Sequence, residues 1–145
     1  MGNWNMRRAE SRDAIALSAC IEAAYAQYAT RVTDLPPVAA NCAEEIVKYP
    51  VWVAEIDDDI VGGVVTIPAE DFMLLANVAV HPRHAGSGLG KALIALVETE
   101  ALRRGCRELR LTTHLDMPEN IQLYAHLGWV ERGREGNKVS MTKTL

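Results

Sequence analysis

Apolar residues change their period along the chain, and each change predicts a change of element. Leu17, Ile21, Ala24, Tyr25 and Tyr28 recur at three- and four-residue spacing, which marks one face of an α-helix, with Ser11 ahead of them as the N-cap. A short strand over Trp4 to Ala9 precedes this helix. Pro36-Pro37 opens a second helical segment running through Ile46 and Val47. It must close before Pro50, because a residue preceding proline is pushed out of the α region. From Val51 the period shortens: Val51 to Ile56 and Ile60 to Ile67 are rich in β-branched residues and are joined by Asp57-Asp58-Asp59, which predicts a hairpin. Phe72 to Val80 is a third apolar strand, stopped by His81-Pro82. Leu89, Ala92, Leu93, Leu96 and Val97 return to helical spacing, in a helix expected to run to Arg103-Arg104 with Gly105 as a left-handed cap. Cys106 to Thr113 reads as a strand and Pro118 to His126 as a short helix with Gly128 beyond it. Strands around Trp129 to Arg132 and Lys138 to Thr144 follow. Strand, helix, strand in the middle of the chain predicts a right-handed crossover between parallel neighbours.

Composition narrows the class. The 145 residues suit a single domain, 1–145, and carry 15 Lys plus Arg against 19 Asp plus Glu, a net charge of −4. At 49% hydrophobic and 23% charged the chain lies near the globular average, which excludes a disordered segment. Its acidic balance argues against a nucleic-acid backbone as the main partner, so an anionic ligand has to be met by a local site. No apolar run approaches the roughly 20 residues of a membrane span, and Met1 to Arg8 has no apolar stretch behind its arginines, so neither a membrane nor secretion is expected. Met1-Gly2 fails as a myristoylation signal because Met6 stands where Ser or Thr is needed. Cys20, Cys42 and Cys106 are odd in number and form no CxxC pair, so they are expected as small core side chains of a cytoplasmic protein. His81 and His84 have HxxH spacing without a nearby third ligand, and no metal is expected. Trp52 and Trp129 are expected in the core.

The segment from Val78 to Leu93 carries the strongest chemical signal. A strand enters a loop with Gly86, Gly88 and Gly90 on alternate positions, and the loop opens directly into a helix. Glycine admits φ > 0 and lets backbone amides approach a ligand. The free N–H groups of a helix's first turn and the positive end of its dipole then form an anion site, with phosphate as the natural guest. Two known phosphate loops fail on spacing. The Walker A pattern fits Gly90-Lys91 but finds Ala85 in place of its first glycine and Ala92 in place of its hydroxyl. In the dinucleotide pattern GxGxxG the third glycine comes one residue early here.

The same segment resembles the pyrophosphate loop of the GNAT superfamily of acyl-CoA-dependent N-acetyltransferases, Q/R-x-x-G-x-G/A between a strand and a long helix. Aligned on His81-Pro82 and on Gly88 to Leu93, Ala85 stands at the Gln/Arg position. A second register, Arg83-x-x-Gly86-x-Gly88, satisfies the letters but displaces the helix start. Downstream, Met117 to Trp129 is similar to the family's N-x-x-A-x-x-L-Y-x-x-x-G-F. Leu123, Tyr124 and Gly128 match, Met117 takes the Asn position, Asn120 the Ala position, and Trp129 replaces Phe. The resemblance covers Val51 to the C-terminus, and the two N-terminal helices fit the family's acceptor-recognising region.

The resemblance implies an α/β fold of the α+β type, with one mixed, mostly antiparallel sheet of six or seven strands and helices on both faces. It implies acetyl-CoA as co-substrate, held by Val78, Ala79, Val80, Arg83, His84, Ala85, Gly86, Ser87, Gly88, Leu89, Gly90, Lys91, Asn120 and Tyr124. An amine would attack the thioester directly, in a ternary complex at a split between the strand ending in Val80 and the strand ending near Thr113. Tyr124 carries over as general acid, its phenol being neutral at pH 7. Many relatives place a Glu in the strand before the loop, where this chain has Leu74-Leu75-Ala76-Asn77. His114 is then the leading base, because imidazole titrates near working pH, with Glu70, Asp71, Asp116 or a water as alternatives. The expected partner is a small-molecule amine rather than a protein, and a homodimer stays open. A CoA-binding or regulatory module without turnover is the rival reading, suggested by Ala85, Met117 and the missing Glu.

Overall fold

A computed structural model describes residues 3–26, 28 and 41–145. The strands predicted at Val51, Phe72 and Lys138 form with those starts, as β2 (Val51–Ile56), β4 (Phe72–Val80) and β7 (Lys138–Thr144). The others are β1 (Asn5–Arg8), β3 (Asp59–Pro68), β5 (Glu108–His114) and β6 (Val130–Glu135). Asp57 and Asp58 both have positive φ, so the acidic run makes the tight turn of the β2–β3 hairpin. The helices are α1 (Ala14–Ala26), α2 (Cys42–Lys48), α3 (Leu89–Arg103) and α4 (Pro118–His126). The expected start of the second helix at Pro36-Pro37 lies outside the described residues. None of the described helices is long and apolar enough to cross a membrane.

Several boundaries differ from expectation: Tyr28, expected on the first helix, lies beyond the end of α1 at Ala26, β6 runs on to Glu135 rather than Arg132, and two further differences have a visible cause. Ser11 is not the N-cap of a helix: it opens a short 3-10 turn, Ser11–Asp13, capped from Glu10, and α1 begins only at Ala14. The reason is Asp13, whose carboxylate accepts the Glu10 N–H at 2.7 Å and so takes over the capping role. Nor does β5 begin at Cys106, because the Cys106 N–H is used to close α3, donating to the Ala101 carbonyl at 2.9 Å after Gly105 turns the chain at φ 79.

The seven strands form one sheet in the order β1-β2-β3-β4-β5-β7-β6, antiparallel everywhere except between β4 and β5. α1 and α2 cover one face through Leu17, Ile21, Cys42 and Ile46, packed on Val51, Val53, Val65 and Ala79. α3 covers the other through Leu89, Leu93, Ile94 and Val97, and Tyr124 of α4 belongs to the same cluster. The glycine pair in β3 lets both layers approach. A Cβ on Gly62 would lie 3.0 Å from Leu89 Cδ2, and one on Gly63 would lie 2.5 Å from Leu17 Cδ1. Leu89 pressed on Gly62 therefore fixes where α3 begins, which locates the glycine loop relative to the sheet. All three cysteines are buried and free, as is Trp129, whereas Trp52 is only partly buried, under the Arg8 guanidinium.

Two irregularities at the centre of the sheet make room for a ligand. β4 pairs with β5 only from Phe72 to Leu74, against Glu108 to Arg110, and beyond this the two strands part. In β4 the register against β3 shifts between Leu75, opposite Thr66, and Asn77, opposite Val65, so that Ala76 is a bulged extra residue. The bulge reverses the alternation. Met73 and Leu75 pack in the α3 cluster, but Asn77 turns toward α1, where its Oδ1 accepts the Tyr25 hydroxyl at 3.1 Å, and Ala79 packs in the α1 cluster.

At the sheet edge Arg7 of β1 ties the 3-10 turn before α1 to β2. Its guanidinium donates to both oxygens of Asp13 at 2.7 and 3.0 Å and to Glu55 at 3.2 and 3.3 Å. These hydrogen bonds from Arg7 hold the Asp13 and Glu55 carboxyls below the usual carboxylate range. Such groups stabilise the fold at pH values above their unfolded pKa, and the contribution is lost as acidification approaches the lower folded pKa. Asp13→Asn is expected to cost about 2 kcal/mol at pH 7. It should also flatten the fall in stability below pH ~4, measured by chemical denaturation across pH.

Candidate active site

Beside the end of β4, beyond its last pairing with β5, lies a cavity of about 580 Å³. Its walls are Ala24, Tyr25 and Tyr28 from the α1 side, Val78, Ala79 and Val80 at the end of β4, His84, Ala85, Gly86 and Gly88 of the loop, Leu89, Gly90, Lys91 and Ile94 of α3, and Glu119, Asn120, Leu123 and Tyr124 of α4. The cavity thus has one end at a helix N-terminus and the other among tyrosines contributed from both faces of the sheet.

Local hydrogen bonding shapes the loop. The His81 N–H donates to the Val61 carbonyl at 2.8 Å, which ends β4, and His81 Nδ1 accepts the Arg83 N–H at 3.2 Å. Ser87 folds back, with its N–H and its Oγ both donating to the His84 carbonyl, at 3.2 and 2.6 Å. Gly88 then caps α3 in the left-handed region, at φ 88 and ψ 2. The first helical bond runs from the Ala92 N–H to the Gly88 carbonyl at 3.0 Å, so the N–H groups of Leu89, Gly90 and Lys91 precede the helix's own ladder. A Cβ added at Gly86 or Gly88 would meet no atom within 4 Å, which places open space directly over these amides. His84 and Lys91 line the same end. The donor set, dipole and clearance fit a pyrophosphate, and Ala85 leaves the backbone donors in place.

Most of the residues predicted from sequence converge here: Val78, Ala79, Val80, His84, Ala85, Gly86, Gly88, Leu89, Gly90, Lys91, Asn120 and Tyr124 all line the cavity. Arg83 and Ser87 do not, and both are exposed, Ser87 being turned onto its own loop. His114 is also off the lining, at the β7-paired end of β5. Its Nδ1 accepts the Asp116 N–H at 3.0 Å, which puts the proton of the neutral ring on Nε2 and engages the lone pair a base would use. Glu70, Asp71 and Asp116 are likewise not on the lining. Among the described residues no cluster of three His, Cys, Asp or Glu is arranged to hold a metal.

Tyr124 is placed by the end of α4. Gly128, at φ 97, turns the chain back so that the Trp129 N–H donates to the Tyr124 carbonyl at 3.0 Å. The two rings then pack at 5.5 Å between centroids, tilted by 57°. Burial raises the Tyr124 phenol above its ordinary range, and nearby Tyr25 and Tyr28 raise it further. Burial, with Tyr28 beside it, pushes the Tyr25 phenol up to about 12. These two N-terminal tyrosines were not among the predicted site residues. Their spacing signals a core stripe, and both do pack, but the same side chains face the cavity.

Residues 17–129 match the sequence model of the Acetyltransferase (GNAT) family. Human N-acetyltransferase 8B is 33% identical over 89 residues, covering 57% of this chain and 39% of its own length. The mouse probable N-acetyltransferase family 8 member 5 is 31% identical over 100 residues, covering 65% and 44% respectively. The chain thus spans about two fifths of the length of the curated relatives it matches. The PaiA N-acetyltransferase of Thermoplasma acidophilum, solved in complex with coenzyme A, shares the fold with a TM-score of 0.90 at 17% identity, over 99% of this chain and 100% of that one.

Proposed function

This chain belongs to the GNAT acetyltransferase family, and we propose that it moves the acetyl group of acetyl-CoA to a small primary amine by direct attack in a ternary complex. The observation that supports the reading is one cavity lined by the start of α3, by Val78 to Val80 on the stretch of β4 beyond its pairing with β5, and by Tyr124. Leu89, Gly90 and Lys91 would hold the pyrophosphate through their N–H groups. The edge of β4 beyond Leu74, left without β5 as a partner, offers Val78 and Val80 backbone groups to the amides of the pantetheine arm. Asn120 adds a side-chain amide from α4.

At the thioester the amine nitrogen forms a bond to the carbonyl carbon, and the carbon–sulfur bond breaks. Tyr124 gives its phenolic proton to the departing sulfur, and the proton lost by the amine passes to water, from which the phenol is restored. Burial keeps Tyr124 protonated, as an acid must be before it acts. With His114 Nδ1 engaged by its own turn, water is the better proton acceptor. Free-thiol release from acetyl-CoA, measured with a panel of primary amines, tests the reading. Release dependent on an amine is expected, while binding of acetyl-CoA without release by any amine would make the chain a binding module.

A further inference from the structure

The end of the cavity opposite the glycine loop is an aromatic wall with its own support. Tyr25 and Tyr28 stand with ring centroids 6.1 Å apart, tilted by 59°, and both line the cavity, as does Tyr124. Behind them, Met117 is buried to 3% exposure and forms a separate small cluster with Tyr28, against which Tyr25 packs. Met117 is the position at which the family pattern carries Asn, and here its thioether supports the ring wall. Tyr25 is held from the sheet as well. Its hydroxyl donates to Asn77 Oδ1 at 3.1 Å, and Asn77, at 8% exposure, reaches it only because the bulge at Ala76 turns it toward α1. With its proton committed to Asn77, the Tyr25 oxygen is left as an acceptor.

We propose that Tyr25 and Tyr28, supported by Asn77 and Met117, form the acceptor subsite and select a primary amine carried on an aromatic or extended apolar body. The inference rests on the acetyl-transfer reading. The physical case has two parts. Ring faces attract an ammonium and bury apolar surface, and the Tyr25 oxygen accepts an N–H from the same nitrogen. A second charge on the acceptor would lose its hydration against this wall. Glu119, in the first turn of α4, is the sole carboxylate among the described lining residues.

Thiol-release kinetics with 2-phenylethylamine, spermidine and glycinamide test the subsite, together with calorimetric titration of 2-phenylethylamine onto the CoA-saturated protein. The wild type is expected to show a kcat/KM for 2-phenylethylamine at least about tenfold above the other two, a span one apolar contact can supply. Tyr28→Leu, which keeps the position apolar, and Tyr25→Phe should each raise the KM for 2-phenylethylamine about tenfold and leave the KM for acetyl-CoA within about twofold. Preference for spermidine or glycinamide overturns the proposal, as does an equal effect of the variants on both substrates. If no amine releases thiol, the transfer reading fails by itself. Calorimetric binding of 2-phenylethylamine that Tyr28→Leu weakens would still support the subsite, and absence of binding would overturn it.

Discussion

Replacing Tyr124 by phenylalanine is expected to lower kcat for amine acetylation about a hundredfold while the Kd for coenzyme A stays within about twofold. The ring itself contributes packing, against Trp129 and within the α3 cluster, and phenylalanine keeps that ring. Among the described residues no hydrogen bond to the hydroxyl is broken by the change, so stability should hardly move. What is lost is one proton donor facing the cavity. General acids contribute about 10²–10⁴-fold, and a thiolate leaving group, with a thiol pKa near ~8.5, needs less help than an alkoxide, which favours the low end. The raised Tyr124 pKa also fixes the shape of the pH profile. The wild-type rate should climb as the amine loses its proton and then show no decline near pH ~10, where an ordinary phenol would ionise. An unchanged kcat in the phenylalanine variant would remove Tyr124 as the acid.

How much of this was readable from sequence depends on whether a feature is local. The β4 strand, the glycine loop and α4 are bounded by Pro82, Gly88, Pro118 and Gly128, residues that punctuate a chain through their own backbone chemistry, and their limits are visible in one dimension. The bulge at Ala76 is not visible, because Phe72 to Val80 is apolar almost throughout and carries no alternation whose reversal could be seen. That one residue decides that Asn77 reaches Tyr25, so the tyrosine wall depends on a register shift the sequence does not display. For His114, a titratable residue at a strand end, the sequence does not display that Nδ1 accepts the Asp116 N–H two residues on or that the residue is off the cavity lining. Met117 looked like a defect in a motif, and its meaning appears only in contact with Tyr28.

Gly88→Val is expected to weaken coenzyme A binding about a hundredfold, the equivalent of about 2.7 kcal/mol, and Gly105→Val separates the causes. Both glycines adopt the left-handed region, at φ 88 and φ 79, and an added Cβ at either would meet no protein atom within 4 Å. A β-branched residue forced into that conformation costs about 1–2 kcal/mol at each site. Equilibrium unfolding should therefore show similar losses of stability in the two variants. Their positions differ: Gly105 follows the C-terminus of α3, away from the cavity, whereas Gly88 caps its N-terminus and lines the space in front of the Leu89, Gly90 and Lys91 amides. A valine side chain at Gly88 projects into the volume that a pyrophosphate would need, and any relaxation of its φ re-aims the amides. If the glycine loop is the phosphate site, Gly105→Val binds coenzyme A like the wild type by calorimetry and Gly88→Val does not. Equal affinity in the two variants would mean that the phosphates are held elsewhere, and the orientation of the whole ligand in the cavity would have to be reversed.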